Sequence, residues 1–483
     1  MKIGSGPAPL PAPRIALLLC ASLASGCITV GPDYETPETK VPDKWQQAIV
    51  EEMKSGEPDI MRWWESFGDP QLTGYMERAR EGNPGLQEAV ARLREARAIR
   101  AIAAGERMPD INGLGAAERT RTSEDFFPPT GDRTDNIYDY GVNARWEADV
   151  WGRVRRLVES ADANLQASLE SYRDVLVLLY AQVALAYTDV RTSQERINYI
   201  RGNIKTQRDA LGLVQDRNKA GLASDLEVRQ AELNLYRTEA FLPTLQARLT
   251  AAINQLGVLL GEPPSALHGE LAERKQVPKA RGDFNVGAPG DLVRRRPDIR
   301  AAERALAAQT ARIGVATAEL YPRFNINGNF SILTSNFDDG ADWDNRNWAF
   351  GGFFTWNLFD GGRIRGLIEV EDARTEQALE RYEQTVLEAL EDVETSISDY
   401  AREQQRRDSL SKSVFAAEES VRLVLILYRT GLTDFQNVLD MQRSLFEQQD
   451  QYADSDGIVT VNLIRIYTAL GGGWDPADLP EME

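Results

Sequence analysis

Side chains able to do covalent or metal chemistry are scarce in this chain. Its 483 residues include one histidine, His268, and two cysteines, Cys20 and Cys27. A lone histidine excludes an HExxH zinc helix and any histidine-rich cage, and no P-loop, GxSxG elbow or three-glycine dinucleotide turn occurs. His268 lies among Pro263, Pro264 and Gly269, the setting of a surface loop. Asp338, Asp339, Asp342 and Asp344 offer oxygens to a divalent cation, but they lack EF-hand spacing and read as a solvated acidic loop, so no metal site is assigned. Carboxylate pairs such as Asp338 and Asp339 have no neighbour that would divide them into acid and base, and the chain is not read as an enzyme. The thiol of Cys27 remains. Lys2 and Arg14 precede an apolar run, Ile15 to Leu23, too short for a permanent membrane helix, and Leu23-Ala24-Ser25-Gly26-Cys27 closes it in the manner of a lipoprotein signal peptide. On that reading residues 1–26 are removed, Cys20 with them, and Cys27 carries diacylglycerol and an N-acyl chain, with no other cofactor. The alternative is a plain signal peptide with an incidental cysteine. In either case the mature chain holds no pair of thiols for a disulfide framework.

Beyond the leader no run of 18 uncharged apolar residues exists, so any crossing of a bilayer falls to strands. Period-two rows supply them: Ile326, Gly328, Phe330 and Ile332 alternate with Asn325, Asn327, Asn329 and Ser331, and Trp348, Phe350, Gly352, Phe354, Trp356 and Leu358 form a second row. An earlier pair is made by Tyr138, Tyr140, Val142, Ala144 and Trp146 with the Gly- and Ala-rich segment from Ile111 to Thr122. An ordinary soluble hairpin with one buried face is the competing reading. The polar stretches Ser123 to Asp135 and Ser335 to Arg346 read as outward loops. The formal net charge of −19 disfavours nucleic acid as a partner.

Those strands sit in a duplicated plan. Trp146, Gly152, Arg153, Gly221 and Gly261 recur 210 residues on as Trp356, Gly362, Arg363, Gly431 and Gly471, and Pro84 and Pro109 recur 213 on as Pro297 and Pro322. Leu169, Leu176, Val183, Val190, Ile197, Ile204 and Leu211 repeat every seven residues, the seam of a coiled coil; the second copy keeps it from Leu379 to Val421 with one interruption at Arg407. From Gly152 to Lys219 is 68 residues, about 100 Å of helix, against about 55 Å for the return segment Ser224 to Leu260. The helix from Pro84 to Arg107, about 36 Å, makes up most of the difference, as does Pro297 to Leu320 in the second copy. Gly221 and Gly431 mark left-handed hairpin turns, each followed by an expected capping box, Ser224 with Glu227 and Thr433 with Gln436. Four strands cannot close a barrel, and eight would be filled by their own side chains; three chains give twelve strands and a lumen, with a ring of helices continuing below.

Val30-Gly31-Pro32-Asp33-Tyr34 with Pro37, Trp63-Trp64, Arg295-Arg296-Pro297-Asp298-Ile299, Tyr321-Pro322 and Leu358-Phe359-Asp360-Gly361-Gly362-Arg363 together resemble the TolC-like outer-membrane efflux channels, in the lipoprotein branch serving RND-type pumps. The resemblance covers essentially the whole mature chain. It implies a mainly α fold with membrane β: a homotrimer whose 12-stranded β-barrel is continuous with a long periplasmic α-helical barrel, plus a small mixed α/β equatorial region and an internal two-fold repeat. Residues 27–82, 262–296 and 472–483 fall to the lipidated N-terminus, equatorial linker and tail. The first copy spans 83–261, with strands 110–123 and 136–150 and helices 152–219 and 224–260; the second spans 297–471, with strands 323–335 and 347–359 and helices 362–429 and 433–470. The implied function is passive conduction of drugs or other small toxic compounds, received from a periplasmic adaptor and an inner-membrane RND-type transporter, with outer-membrane lipid around the barrel. Ile28 after the lipid site, where aspartate is absent, goes with sorting of bacterial lipoproteins to the outer membrane. A periplasmic coiled-coil adaptor or scaffold lipoprotein is the rival class, and the exit channel of a protein or metal export system a further one.

The same resemblance implies a periplasmic gate. A ring of aspartates narrows such pores nine residues beyond the tip glycine, here Asp440. The links that hold the iris shut would fall to Tyr428 and Arg429 before Gly431, Arg443 after the aspartate, and Glu227 on the other hairpin. Two departures stand out: Gln436 replaces the leucine ring of a related branch, and Glu227 replaces aspartate. Both side chains also suit simple helix capping.

Overall fold

A computed structural model describes residues 29–39, 41–46, 53–54, 60–123, 134–280, 284–285 and 287–476. Cys27 with its leader, most of the first outward loop and the end of the tail lie outside the described residues. In chain order the elements are β1 (Met53–Lys54), a 3-10 turn (Trp63–Phe67), α1 (Pro70–Gly82), α2 (Pro84–Gly105), β2 (Asp110–Arg121), β3 (Thr134–Ala148), α3 (Arg153–Lys219), α4 (Asp225–Glu239), α5 (Phe241–Leu259), β4 (Phe284–Asn285), α6 (Leu292–Arg295), α7 (Pro297–Ala318), β5 (Arg323–Thr334), β6 (Arg346–Thr355), α8 (Arg363–Arg429) and α9 (Phe435–Ala469). The chain is mostly helical with a small sheet. The described residues divide into two compact units, one drawn from 29–37, 94–168 and 302–382, the other from 38–93, 169–301 and 383–476.

The first unit holds a four-stranded antiparallel sheet in the order β2-β3-β5-β6. Register brings Ile326 opposite Trp146 and Gly352, Gly328 opposite Ala144 and Phe350, and Phe330 opposite Val142 and Trp348. Because side chains alternate along each strand, these residues share one face. Asn325, Asn327 and Asn329 face the other way, beside Asn143, Arg145, Phe353, Gly351 and Ala349. One face is therefore apolar and aromatic, the other rich in amides. β6 is exposed along its whole length, and among the described residues β2 and β6 each pair on one side only.

β6 stops at Thr355, short of the expected 359, because its partner β5 starts at Arg323 after Pro322, which has no N–H for the ladder. Indole N–H groups secure matching corners: Trp146 donates to the Arg107 carbonyl and Trp356 to the Leu320 carbonyl, both at 3.0 Å. The Val30-to-Tyr34 segment is fixed by Arg156, whose guanidinium donates to the carbonyls of Val30 and Gly31, both at 3.1 Å, and to the Asp33 carboxylate at 2.7 Å. Gly31 has φ of +87°, and a Cβ there would lie 2.4 Å from the Gly314 Cα, so only glycine fits. In the second acidic loop Phe337 packs edge-on to Tyr138 and Trp343 tilts against Phe330.

In the second unit the seven-residue seam forms the core. Leu176, Val183, Val190, Ile197, Ile204 and Leu211 are buried, as are Val386, Val393, Tyr400, Val414 and Val421. The most apolar window of α3 is 72% buried, so its apolar side chains fill protein core. A two-residue parallel bridge joins β1 to β4, and Trp63 stacks on Tyr467 at 5.3 Å.

The return helix of the first copy, expected unbroken over 224–260, is split at Ala240 into α4 and α5. Pro243 is the cause. It lacks an N–H and its ring clashes with the carbonyl four residues back, Glu239, so it is tolerated only in the first turn of a new helix. Ala453 occupies the matching place in α9, which runs unbroken for 35 residues.

Candidate functional site

The two helical hairpins of the second unit end in similar turns. Gly221 and Gly431 adopt φ of +74° and +75°. Leu222 N–H donates to the Arg217 carbonyl at 2.8 Å and Leu432 N–H to the Leu427 carbonyl at 2.9 Å, closing each long helix in a Schellman arrangement. Beyond the first turn, Ser224 and Glu227 form a capping box. Beyond the second, the expected box of Thr433 and Gln436 is absent: Asp434 is the N-cap and makes no side-chain capping bond. The reason is register. Asp434, not Thr433, matches Ser224, and Asn437 matches Glu227; the Asn437 amide donates to the Thr433 hydroxyl at 2.8 Å.

Between the turns lies a buried core of Ile197, Ile200, Ile204, Val214, Leu235, Val438 and Leu439. Tyr428 belongs to it, with its ring 5.2 Å from that of Phe435. The Tyr428 hydroxyl donates to the Glu227 carboxylate at 2.8 Å, tying the second hairpin to the first. Burial, reinforced by that carboxylate, pushes the Tyr428 hydroxyl up to about 12. Glu227 thus works twice, since its other oxygen accepts from the Ser224 N–H.

The cation at this junction is Arg217, which the sequence reading did not single out. Its guanidinium lies 4.8 Å from the Tyr428 ring centre and donates to the carbonyls of Tyr428 at 3.0 Å and Arg429 at 3.3 Å. A cation on the last carbonyls of α8 is favoured by the helix dipole. Arg429 therefore enters the junction through its carbonyl, and among the described residues its guanidinium has no partner. A basic residue in the last turn of α3 was the available signal, but Lys219, its neighbour two residues on, instead pairs locally with Asp216.

Asp440 sits on an exposed face of α9. It accepts from the Gln436 amide at 3.0 Å and, at a long 3.4 Å, from Arg443. Gln436, Asp440 and Arg443 are one helical turn apart, so the structure brings these three together and, separately, Tyr428 with Glu227. No hydrogen bond joins the two groups among the described residues.

The chain aligns with the outer-membrane channel OprN at a TM-score of 0.86 and 35% identity, over 92% of this chain and 100% of that one. The model of the family described as outer membrane efflux protein matches residues 75–262 and 288–472, and the chain belongs to that family. Nodulation protein T of Rhizobium leguminosarum bv. viciae is 31% identical over 95% of this chain and 94% of its own length. Outer membrane protein OprJ of Pseudomonas aeruginosa is 29% identical over 96% and 97%. Membership places the chain in the outer membrane as a channel component of efflux.

Proposed function

We propose that three copies of this chain form the exit conduit of a tripartite pump, pooling their sheets into a twelve-stranded barrel and their duplicated hairpins into a periplasmic helical tube. One observation carries the reading: a four-stranded sheet with a continuous aromatic face and outer strands β2 and β6 that, among the described residues, pair on one side only. An unpaired strand edge in lipid leaves N–H and C=O groups unsatisfied, so the edges must meet those of another copy. Lipid on Cys27 adds an anchor. Cargo is passed on by a periplasmic adaptor from an RND-type transporter, the source of energy; small toxic compounds are the class favoured by relatives such as the toluene efflux pump outer membrane protein TtgI of Pseudomonas putida.

In the trimer the three Asp440 carboxylates converge near the pore axis. Like charges repel unless offset, and Arg443 with Gln436 provides the offset within each chain. The link from Tyr428 to Glu227 holds neighbouring hairpins together. With Gln436 where a related branch has leucine, the constriction is polar and hydrated. Planar-bilayer recording tests the whole reading: wild-type protein gives discrete conductance steps, and Asp440→Ala raises the step size. A scaffold protein gives no steps, and unchanged conductance in intact Asp440→Ala trimers removes that residue from the gate.

A further inference from the structure

Where Pro243 breaks the return helix, the ends of α4 and α5 leave a cavity of about 500 Å³ against α3 and α9. Its apolar wall is Phe241, Phe446 and Leu245, the two rings tilted with centres 5.6 Å apart and Phe241 still 46% exposed. Three guanidiniums, Arg196, Arg237 and Arg443, face two carboxylates, Glu447 and Asp450. Arg196 is already committed, gripping Asp450 through two bonds of 2.8 and 2.9 Å and Asp454 through one of 3.1 Å. Glu447 accepts from Gln451 at 3.3 Å. Among the described residues Arg237 has no ion pair or hydrogen bond, and Arg443 has only its long 3.4 Å contact with Asp440.

Two loosely held guanidiniums beside an aromatic wall select a flat, apolar body bearing one negative charge. The lining carries three guanidiniums to two carboxylates, one of which, Asp450, is already held by Arg196, so an anion is favoured there over a cation. In a chain of net charge −19, a locally positive cavity is the place where such an anion can settle.

We propose that this cavity binds a monoanionic aromatic compound, a carboxylate or sulfonate class of effector, and that binding draws Arg443 from Asp440 and so opens the constriction. Arg443 holds Asp440 only at 3.4 Å, so an anion seated closer to it competes for the guanidinium. The loss of Arg443 leaves Asp440 with Gln436 alone, and repulsion within the ring of three then favours the wider state. This second step rests on the assignment of Asp440 to the gate.

The probe is 2-naphthoate, titrated calorimetrically into the protein in lipid nanodiscs with empty nanodiscs as background. Saturable binding is expected, weakened at least about ten-fold by Arg237→Gln or by Phe241→Ala, and about ten-fold weaker again for uncharged 2-naphthamide. Both substituted side chains are exposed, so the fold tolerates the changes. In planar bilayers 2-naphthoate should raise the conductance of the wild type but of neither Arg237→Gln nor Asp440→Ala. Absence of saturable binding, or binding that both variants leave unchanged, overturns the site. Binding without a conductance response, in a protein whose Asp440→Ala variant does conduct more, overturns the coupling. If Asp440→Ala itself changes nothing, the gate assignment fails, and the calorimetry still decides whether the site exists.

Discussion

At the scale of single residues, the junction of the hairpins depends on one phenol. Tyr428→Phe keeps the ring that packs on Phe435 and under Arg217 but deletes the bond to Glu227. About 1 kcal/mol of hairpin attachment is lost, and single-channel recording should show larger or more frequent openings with trimer yield unchanged. Because the hydroxyl is pushed up to about 12 from 10.0, its contribution is complete below pH 10 and fades as pH rises through 12, leaving the link intact at physiological pH. Asp174 in α3 behaves oppositely in usefulness. Burial, aided by the charge of Asp298 and partly countered by Arg296, raises its carboxyl from 3.8 to about 6. The folded state then favours the protonated acid, so stability is fullest below pH 3.8 and is lost as pH climbs through 6. Asp174→Asn should therefore raise the apparent melting temperature at pH 7.5, by a free energy on the order of 2 to 3 kcal/mol, and give no gain at pH 3.5. Equal gains at both pH values would show that the carboxylate is not strained by its setting.

At the scale of elements, the two return helices differ in one decisive position. Pro243 lies in the first turn of α5, whereas Ala453 lies within unbroken α9 and is buried there. Ala453→Pro removes a helical hydrogen bond and drives the ring into the preceding turn, a cost of about 3 kcal/mol or more. Denaturant titration should register that loss, while Pro243→Ala, which restores an N–H in a first turn, should stay within about 1 kcal/mol of wild type. The seven-residue seam made the long helices readable, because burial every second turn leaves a periodic trace. The break at Ala240 was also written in the chain, as Pro243, but the apolar pattern on either side of it concealed the interruption. The second capping box failed for a different reason. Thr433 and Gln436 have the right spacing, yet the turn places the cap one residue later, at Asp434.

At the scale of the whole molecule, the sheet puts neighbouring residues on opposite faces, which the proposed barrel would turn to lipid and to water. Gly328 opposite Phe350 lies on the aromatic face, and Asn327 opposite Gly351 on the amide-rich one. In the proposed barrel an arginine in place of Phe350 would face lipid at a cost of roughly 2 to 4 kcal/mol near the bilayer midplane, whereas an arginine in place of Asn327 would face water. Phe350→Arg is expected to reduce heat-resistant trimer in outer-membrane fractions several-fold, and Asn327→Arg to leave trimer yield intact while shifting ion selectivity. Equal losses in both variants would contradict the assignment of faces.

The amino-acid sequence by itself determined what is periodic or locally encoded: strand faces with period two, helices with a seven-residue seam, glycine turns at 221 and 431, and a plan that recurs after 210 residues. Such features depend only on near neighbours along the chain. Tertiary structure alone decided which distant residues meet. Arg217, Glu227 and Tyr428 join across some two hundred positions, and the cavity beside Arg237 and Phe446 is lined jointly by α3, α4, α5 and α9. No local pattern encodes those meetings, because they are fixed by how the hairpins pack, and packing is a property of surfaces brought together by the fold.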